Sequence, residues 1–401
     1  MAEQKVNCAS GAREAGLGHA LLNASGADRW INCPPSARLE EAVDEETSEY
    51  AKEGSFAHSL AETYLAHHLG LIKKSEFNKR LKKLKQDSFY NQELDDYVNV
   101  YVDFAIEKIN EAKARTPDAV VLLEMRLDYS EWVPGGFGTG DLVLVSDDVL
   151  EVIDMKFGRG IEISAIDNSQ MRLYGLGALN QFGCLYTINT VRMTIVQPRL
   201  ESISTDEVTV DDLMYWATNT VMGAAEKAWK GEGEFLPGDH CRFCRVRATC
   251  RARAEANTRL ACYDFQEPPL LTDEEIVDVL DAADEYIRWI SDVQAFALDQ
   301  AANHGKQWAG YKLVEGRSVR KYVDETKVAK ALQAAGYSED QIFEKVLLGI
   351  TKMEKAVGKK QFNELLAGLV EKPPGKPKLA PESDRRSALK STAEIDFKED
   401  I

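Results

Sequence analysis

The chain has 401 residues, 66 acidic against 49 basic, for a formal net charge of -17. That length accommodates two or three domains, and 44% apolar residues supply a core of ordinary size. The acidic balance excludes a whole-surface polyanion binder while leaving room for a local basic groove, and no stretch approaches the ~20 apolar residues of a membrane span. The first residues hold no apolar signal core, so a cytoplasmic chain without membrane partners is expected. There, seven cysteines serve metal or redox chemistry better than a disulfide framework.

The first thirty residues are small and polar. From Gly54 onward Phe56, Leu60, Tyr64 and Leu65 recur at helical spacing, and Gly70 stops that helix. A lysine-rich stretch follows (Lys73, Lys74, Lys79, Arg80, Lys82, Lys83, Lys85), then a long amphipathic helix over 91–114. After Pro117 the pattern changes to alternation and predicts strands over 119–127, 138–145 and 149–157, the last two joined by a tight turn at Ser146-Asp147-Asp148. A helix over 164–182, a strand over 191–197 and a helix over 210–229 complete an α/β core. Its order is helix, three strands, helix, strand, helix. Beyond it, 274–302 predicts an acidic amphipathic helix and 307–323 a hairpin before further helices. From Lys372 the composition collapses to Pro, Gly, Lys and Ser, which predicts a disordered tail. The division is therefore 1–265, 266–371 and 372–401, with no internal repeat.

The chemistry concentrates in Gly138-Thr-Gly-Asp141 and Glu151-Val-Ile-Asp154-Met-Lys156. Residues 154 and 156 share one face of a strand, and Asp141 comes from the neighbouring one. Phosphodiester hydrolysis needs a divalent cation and a group that orients water. Asp141, Asp154 and the Met155 carbonyl supply hard oxygens for Mg²⁺ or Mn²⁺, and Lys156 the orienting charge. Alone, Asp-x-Lys reads as an ordinary ion pair on an edge strand. The flanking Val143, Val145, Val152 and Ile153 make these strands central, where charge is rare without a function.

Cys241-x-x-Cys244 and Cys250 follow Pro237-Gly238-Asp239-His240. A thioredoxin-like pair would leave the third cysteine superfluous. Zinc, with His240 adjacent, and an iron–sulfur cluster both remain open on the residues alone. Arg242, Arg245, Arg247, Arg251 and Arg253 interleave with these cysteines. In so acidic a chain they read as a phosphate-contacting, DNA-binding rim rather than a solvated face, and the lysine stretch as another wall of the same groove.

Taken together, residues 20–260 resemble the RecB-like branch of the PD-(D/E)xK nucleases. The resemblance implies a restriction-endonuclease-like core with a mostly helical C-terminal extension. It also implies a metal-ligand role for His58 in Gly54-Ser-Phe-Ala-His58 and a catalytic role for Gln170-Met-Arg-Leu-Tyr174 beside Asp141, Asp154 and Lys156. Glu124 falls at an often acidic position, and Asp154 stands where other members carry Glu. A subset of that branch binds a four-iron four-sulfur cluster through one cysteine before the core and three after it. By that resemblance Cys33, Cys241, Cys244 and Cys250 are its ligands, closing the 1–265 domain, and Cys8, Cys184 and Cys262 are bystanders. The implied activity is Mg²⁺- or Mn²⁺-dependent DNA exonuclease, of the stand-alone kind found in phage and prophage recombination modules, since no Gly-x-x-x-x-Gly-Lys-Ser/Thr motor motif is present. DNA and a phage single-strand annealing or DNA-binding protein are the implied partners. The alternative is a catalytically silent DNA-binding or scaffold module of the same fold, against which the intact Asp141, Asp154 and Lys156 argue.

Overall fold

In the computed structural model, which describes residues 20–43, 49–258, 272–314, 324–343, 348–366 and 369–370, the chain divides into units 1–296 and 297–401. The first unit opens with short helices α1 (Ala27–Asn32) and α2 (Ser36–Glu41), where Leu22, Ala27 and Trp30 are buried. Helices α3 (Glu49–His68), α4 (Lys74–Leu84) and α5 (Gln92–Arg115) follow. Asn91 caps α5 by accepting the Leu94 N–H. Glu93 and Asp95 fill its first turn and Lys113 and Arg115 its last, each sign matched to the helix dipole. Its stripe of Leu94, Val98, Tyr101, Ala105 and Ile109 is buried. Tyr64 of α3 donates to the buried Asp95 at 2.7 Å, joining the two long helices.

The strands β1 (Val120–Asp128), β2 (Phe137–Val145) and β3 (Asp148–Met155) precede α6 (Ser169–Phe182), β4 (Ile188–Gln197) and β5 (Ser202–Thr209). They form one mixed sheet in the order β1-β2-β3-β4-β5. Only β3 and β4 run parallel, because α6 carries the chain across between them. Leu142, Leu144, Ile153 and Met155 pack in the layer of α3 and α5; Val143, Val145, Leu150 and Val152 pack in the layer of α6. Burial on both faces is why β2 and β3 read as almost continuous apolar runs.

The expected α/β order is present, with local differences. Helix α6 starts at Ser169 rather than 164, because Asn168 caps it by accepting the Met171 N–H. The helix expected over 210–229 is α7 (Val210–Trp216) and α8 (Met222–Lys230) with a π-helical turn over Ala217–Val221 between them. Strand β5 was not predicted. Its Ser-Ile-Ser-Thr-Asp-Glu-Val-Thr sequence is an edge strand half-exposed throughout, held by pairs such as Thr194–Thr205 rather than by apolar burial. Helices α9 (Arg251–Asn257) and α10 (Asp273–Asn303) follow.

The second unit contains α11 (Glu325–Ala334), α12 (Glu339–Ile342), α13 (Ile350–Val357) and α14 (Lys359–Leu365). The expected hairpin is not seen over 307–314, which carries no strand; Trp308 there donates its indole N–H to the Ala297 carbonyl at 2.9 Å. The rest of that hairpin, the boundary at 265, the tail from 372, Cys8 and Cys262 lie outside the described residues. Among the described residues no helix is long and apolar enough to cross a membrane.

Candidate functional site

Glu124 of β1 and Asp141 of β2 occupy one rung of the sheet, flanked by the pairs Leu123–Leu142 and Met125–Gly140. The ladder breaks at this rung, where Glu124 takes φ 46°. A left-handed conformation at a non-glycine residue stores roughly 1–3 kcal/mol of strain and persists only where its surroundings impose it. The break also shifts which side chains face α6. Val120 and Leu122 do so before it, Met125 and Leu127 after it. Two carboxylates directly opposed across a sheet repel each other. His58, from α3, brings its Nδ1 to 3.2 Å from Asp141 Oδ1. One ligand atom from each of His58, Glu124 and Asp141 lies within 4.8 Å of the others. An imidazole and two carboxylates are a donor set suited to a divalent cation.

Beside this group runs a polar relay. Lys156 Nζ lies 3.0 Å from Asp154 Oδ2 and donates to Gln170 Oε1 at 3.0 Å. Gln170 Nε2 in turn donates to the Tyr174 hydroxyl at 3.1 Å. Glycine at 138 makes this possible, since a Cβ there would sit 2.5 Å from the Tyr174 ring. The Met155 N–H donates to Asp141 Oδ2 at 2.7 Å, fixing the β2 carboxylate against β3. Asp154 is 3% exposed; its Oδ2 feels the ammonium at ion-pair range yet has no aligned hydrogen bond. A buried carboxylate whose oxygen has only this unaligned ammonium beside it can also accept a cation or its water.

The electrostatics follow from burial and crowding. Burial raises the Glu124 carboxyl and Asp141 reinforces it, to about 7. Burial by itself would lower His58, but the charge and hydrogen bond of Asp141, with Asp154 and Glu124, outweigh it and lift the imidazole to about 9. Burial also raises Asp154, opposed by Lys156. Metal binding to such groups displaces protons.

Asp141 and His58 therefore meet as expected, and Lys156, Gln170 and Tyr174 form one chain. Asp154, expected among the metal ligands, is not in the three-residue group; Glu124 is. Tyr101 was missed. It is 1% exposed, its hydroxyl has no partner, and burial together with the fields of Asp141, Asp154 and Glu124 raises its pKa. In the sequence it is only one more position of the α5 stripe.

The second constellation joins the two ends of the core. Cys33 caps α1, Cys241 and Cys244 are buried in the loop after α8, and Cys250 precedes α9. All four line one cavity with His240, which hydrogen-bonds Cys33 and is raised by that bond. Burial, and then the nearby Glu40 charge, push the Cys244 thiol up to about 12. Among the described residues no three of these sulfurs lie within 4.8 Å of one another. Tetrahedral zinc with bonds of about 2.3 Å would bring them to about 3.8 Å. Cys184 is exposed just past the end of α6.

Of the five arginines expected on the rim, Arg253 requires correction. It is fully buried and donates to Glu285 and Asp292, each at 2.6 Å, tying α9 to α10. A guanidinium so enclosed cannot meet a phosphate. Arg247 shares Asp292 at 3.0 Å and is half-buried, whereas Arg242, Arg245 and Arg251 are exposed.

Among solved structures the chain is similar to a protein described as a "Putative exonuclease" from Eubacterium rectale, with 12% identity and a TM-score of 0.31 over 64% of this chain and 92% of that one. It is also similar to SSO0001, with 14% identity and a TM-score of 0.22 over 56% of this chain and 96% of that one. Likenesses this distant carry no inference about chemistry. A family model described as "Protein of unknown function (DUF2800)" matches residues 19–387, a span that takes in the carboxylate rung, the cysteine loop and α10. The chain belongs to the DUF2800 family.

Proposed function

We propose that this protein is a divalent-cation-dependent DNA nuclease of the PD-(D/E)xK kind, acting as an exonuclease. The observation that carries the proposal is the convergence of His58, Glu124 and Asp141 within 4.8 Å, beside an Asp154–Lys156 pair fixed by Gln170. These groups come from α3, β1, β2, β3 and α6. Packing an α/β core does not require charge at that meeting point.

His58, Glu124 and Asp141, with Asp154 and the Met155 carbonyl, would hold Mg²⁺ or Mn²⁺. A cation bound there neutralises phosphate charge and makes its water more acidic. The protein's own groups do the positioning. Lys156, held between Asp154 and Gln170, presents a fixed positive charge that orients the attacking water. Tyr174 holds the Gln170 amide so that its oxygen faces the ammonium, and Gly138 leaves space for the Tyr174 ring.

We assign Cys33, Cys241, Cys244 and Cys250 to a four-iron four-sulfur cluster. Four cysteines, one before the core and three after it, lining one shared cavity support it. The cluster would fasten the end of α1 to the loop between α8 and α9. The nuclease domain would then span residues 1–265, and α10 packs against it through Arg253. Arg242 and Arg251, both exposed, would contact the DNA backbone, and a phage single-strand annealing or DNA-binding protein would be the partner that receives the processed strand.

The test is cleavage of end-labelled linear and of circular DNA by anaerobically purified protein. With Mg²⁺ or Mn²⁺ the linear substrate should be degraded and the circle spared, and chelation or Asp141→Ala should abolish degradation. Metal-replete wild type that cleaves no DNA would overturn the reading in favour of a binding module.

A further inference from the structure

The lysine stretch of the sequence forms α4, a helix with no buried residue. Its apolar side, Phe77, Leu81 and Leu84, is partly covered by the core. Phe77 stacks on His67 of α3 at 4.1 Å between ring centroids and packs on Tyr64 at 6.1 Å. Lys79, Lys82 and Lys83 occupy the opposite side, with Lys73, Lys74 and Lys85 on the flanks, all exposed. The one acid of the helix, Glu76, is taken by Arg80 at 2.9 Å. Among the described residues no carboxylate lies within ion-pair distance of any of these six lysines, in a chain of net charge -17.

Helix stability does not explain this arrangement. Lys82 and Lys83 in the last turn suit the helix dipole, but Lys73 at the N-cap and Lys74 at the first position oppose it. Lys73 also makes no capping hydrogen bond, at a position where Ser, Thr, Asn or Asp would satisfy a backbone N–H. Lys85 lies over the Tyr90 ring at 5.4 Å, and the other five lysines present their charge to solvent, where an external anion can meet it.

Resting on the nuclease reading, we infer that α4 is the surface that grips the sugar–phosphate backbone of the DNA substrate outside the reacting centre. Helix α3 links the two, carrying His58 of the site and His67, on which α4 packs. His58 and His67 are nine residues apart on that helix, or about 14 Å at the α-helical rise. The lysines also supply the positive charge that a phosphate chain needs when it approaches the carboxylates of Glu124, Asp141 and Asp154.

The experiment measures binding of a short fluorescent duplex DNA to the full chain, with Ca²⁺ in place of the catalytic cation, across about 50–200 mM salt. The variants are the triple substitution Lys79→Gln, Lys82→Gln, Lys83→Gln and its charge-preserving counterpart with Arg at the same positions. The Gln variant should bind more weakly, and its plot of log affinity against log salt should flatten by about 2–3, close to 0.9 per lost contact. The Arg variant should keep the wild-type slope. Equal slopes for wild type and the Gln variant, or equal loss in both variants, would overturn the inference. The nuclease reading fails separately. A wild type that binds DNA through these lysines yet cleaves none with any divalent cation keeps the inference and loses the nuclease. A wild type that cleaves DNA while the Gln variant binds normally does the reverse.

Discussion

Glu40 of α2 accepts the backbone N–H of Arg245 at 2.7 Å, although the two are 205 residues apart. Its other oxygen receives Arg29 Nε at 3.1 Å. One buried carboxylate therefore fastens the start of the core to the cysteine loop, beside Cys244.

Glu40→Ala would leave a partly buried guanidinium and an N–H without their acceptor. We expect a loss of about 2–4 kcal/mol, read as a lower midpoint in denaturant. Iron content should fall with it, as it should in Cys33→Ser and Cys250→Ser, because three thiolates do not close a four-ligand site. Cys184→Ser should keep full iron. Stoichiometric zinc with no iron or sulfide in the anaerobically purified protein would remove the cluster assignment.

Glu124→Gln and Lys156→Met should fail in different ways. The first deletes a charged ligand and relieves the repulsion on its rung, so Mn²⁺ affinity by calorimetry should drop at least about tenfold, which is about 1.4 kcal/mol. The metal-free protein should melt no lower than wild type. The second leaves the carboxylates in place. Metal affinity should change little, while turnover falls by about 10²–10⁴, the usual contribution of a water-positioning group. Matching losses of metal in both would contradict the assigned roles.

Glu151 offers a pH test away from the metal centre. It is 3% exposed, with Oε1 unpartnered and Arg192 at 3.6 Å from Oε2. Burial raises its pKa, against the opposing pull of Arg192. The native state therefore holds this proton above pH 4.5, where the unfolded chain has lost it. That contribution to stability disappears as pH rises through the native pKa. Glu151→Gln should thus raise the melting temperature at pH 7 and have little effect near pH 4. A variant that melts lower than wild type at pH 7 would show that pairing with Arg192 outweighs burial.

Arg251 and Arg253 are two residues apart and should behave oppositely. Arg253→Ala strands Glu285 and Asp292 against a buried gap and should cost about 3 kcal/mol, seen as easier proteolysis around α10. Its DNA affinity, measured on the folded fraction, should hold. Arg251→Ala should leave stability unchanged and flatten the salt dependence of DNA binding by about one unit. Loss of stability in both would mean that Arg251 is structural too.

Much of this arrangement was legible in the sequence because its signals are local. The period change at Pro117 located three strands, and Asp154-x-Lys156 with Gln170-x-x-x-Tyr174 marked a relay whose members do touch. What escaped depends on distant neighbours. Strand β5 has no apolar alternation, since its stability comes from pairing with β4. Glu124, marked in the sequence only as an often acidic position of the resemblance, joins the metal group from a left-handed residue opposite Asp141, and nothing in its flanking residues announces that turn. Arg253 looked like its exposed neighbours until α10 brought two carboxylates to it from more than thirty residues away.

The packing of the N-terminal segment has a consequence in time. Leu22, Ala27 and Trp30 are buried in the same cluster as residues of α6 and α8, and Arg38 donates to the Trp229 carbonyl at 2.8 Å. On the ribosome those partners do not yet exist when Trp30 emerges. At about 5–20 residues per second, roughly 10–40 s separate the synthesis of Cys33 from that of Cys250. Throughout that interval an indole and its apolar neighbours are without their native cover. The start of this chain must wait for its end, so slower translation before α8 lengthens the time Trp30 spends without its native neighbours.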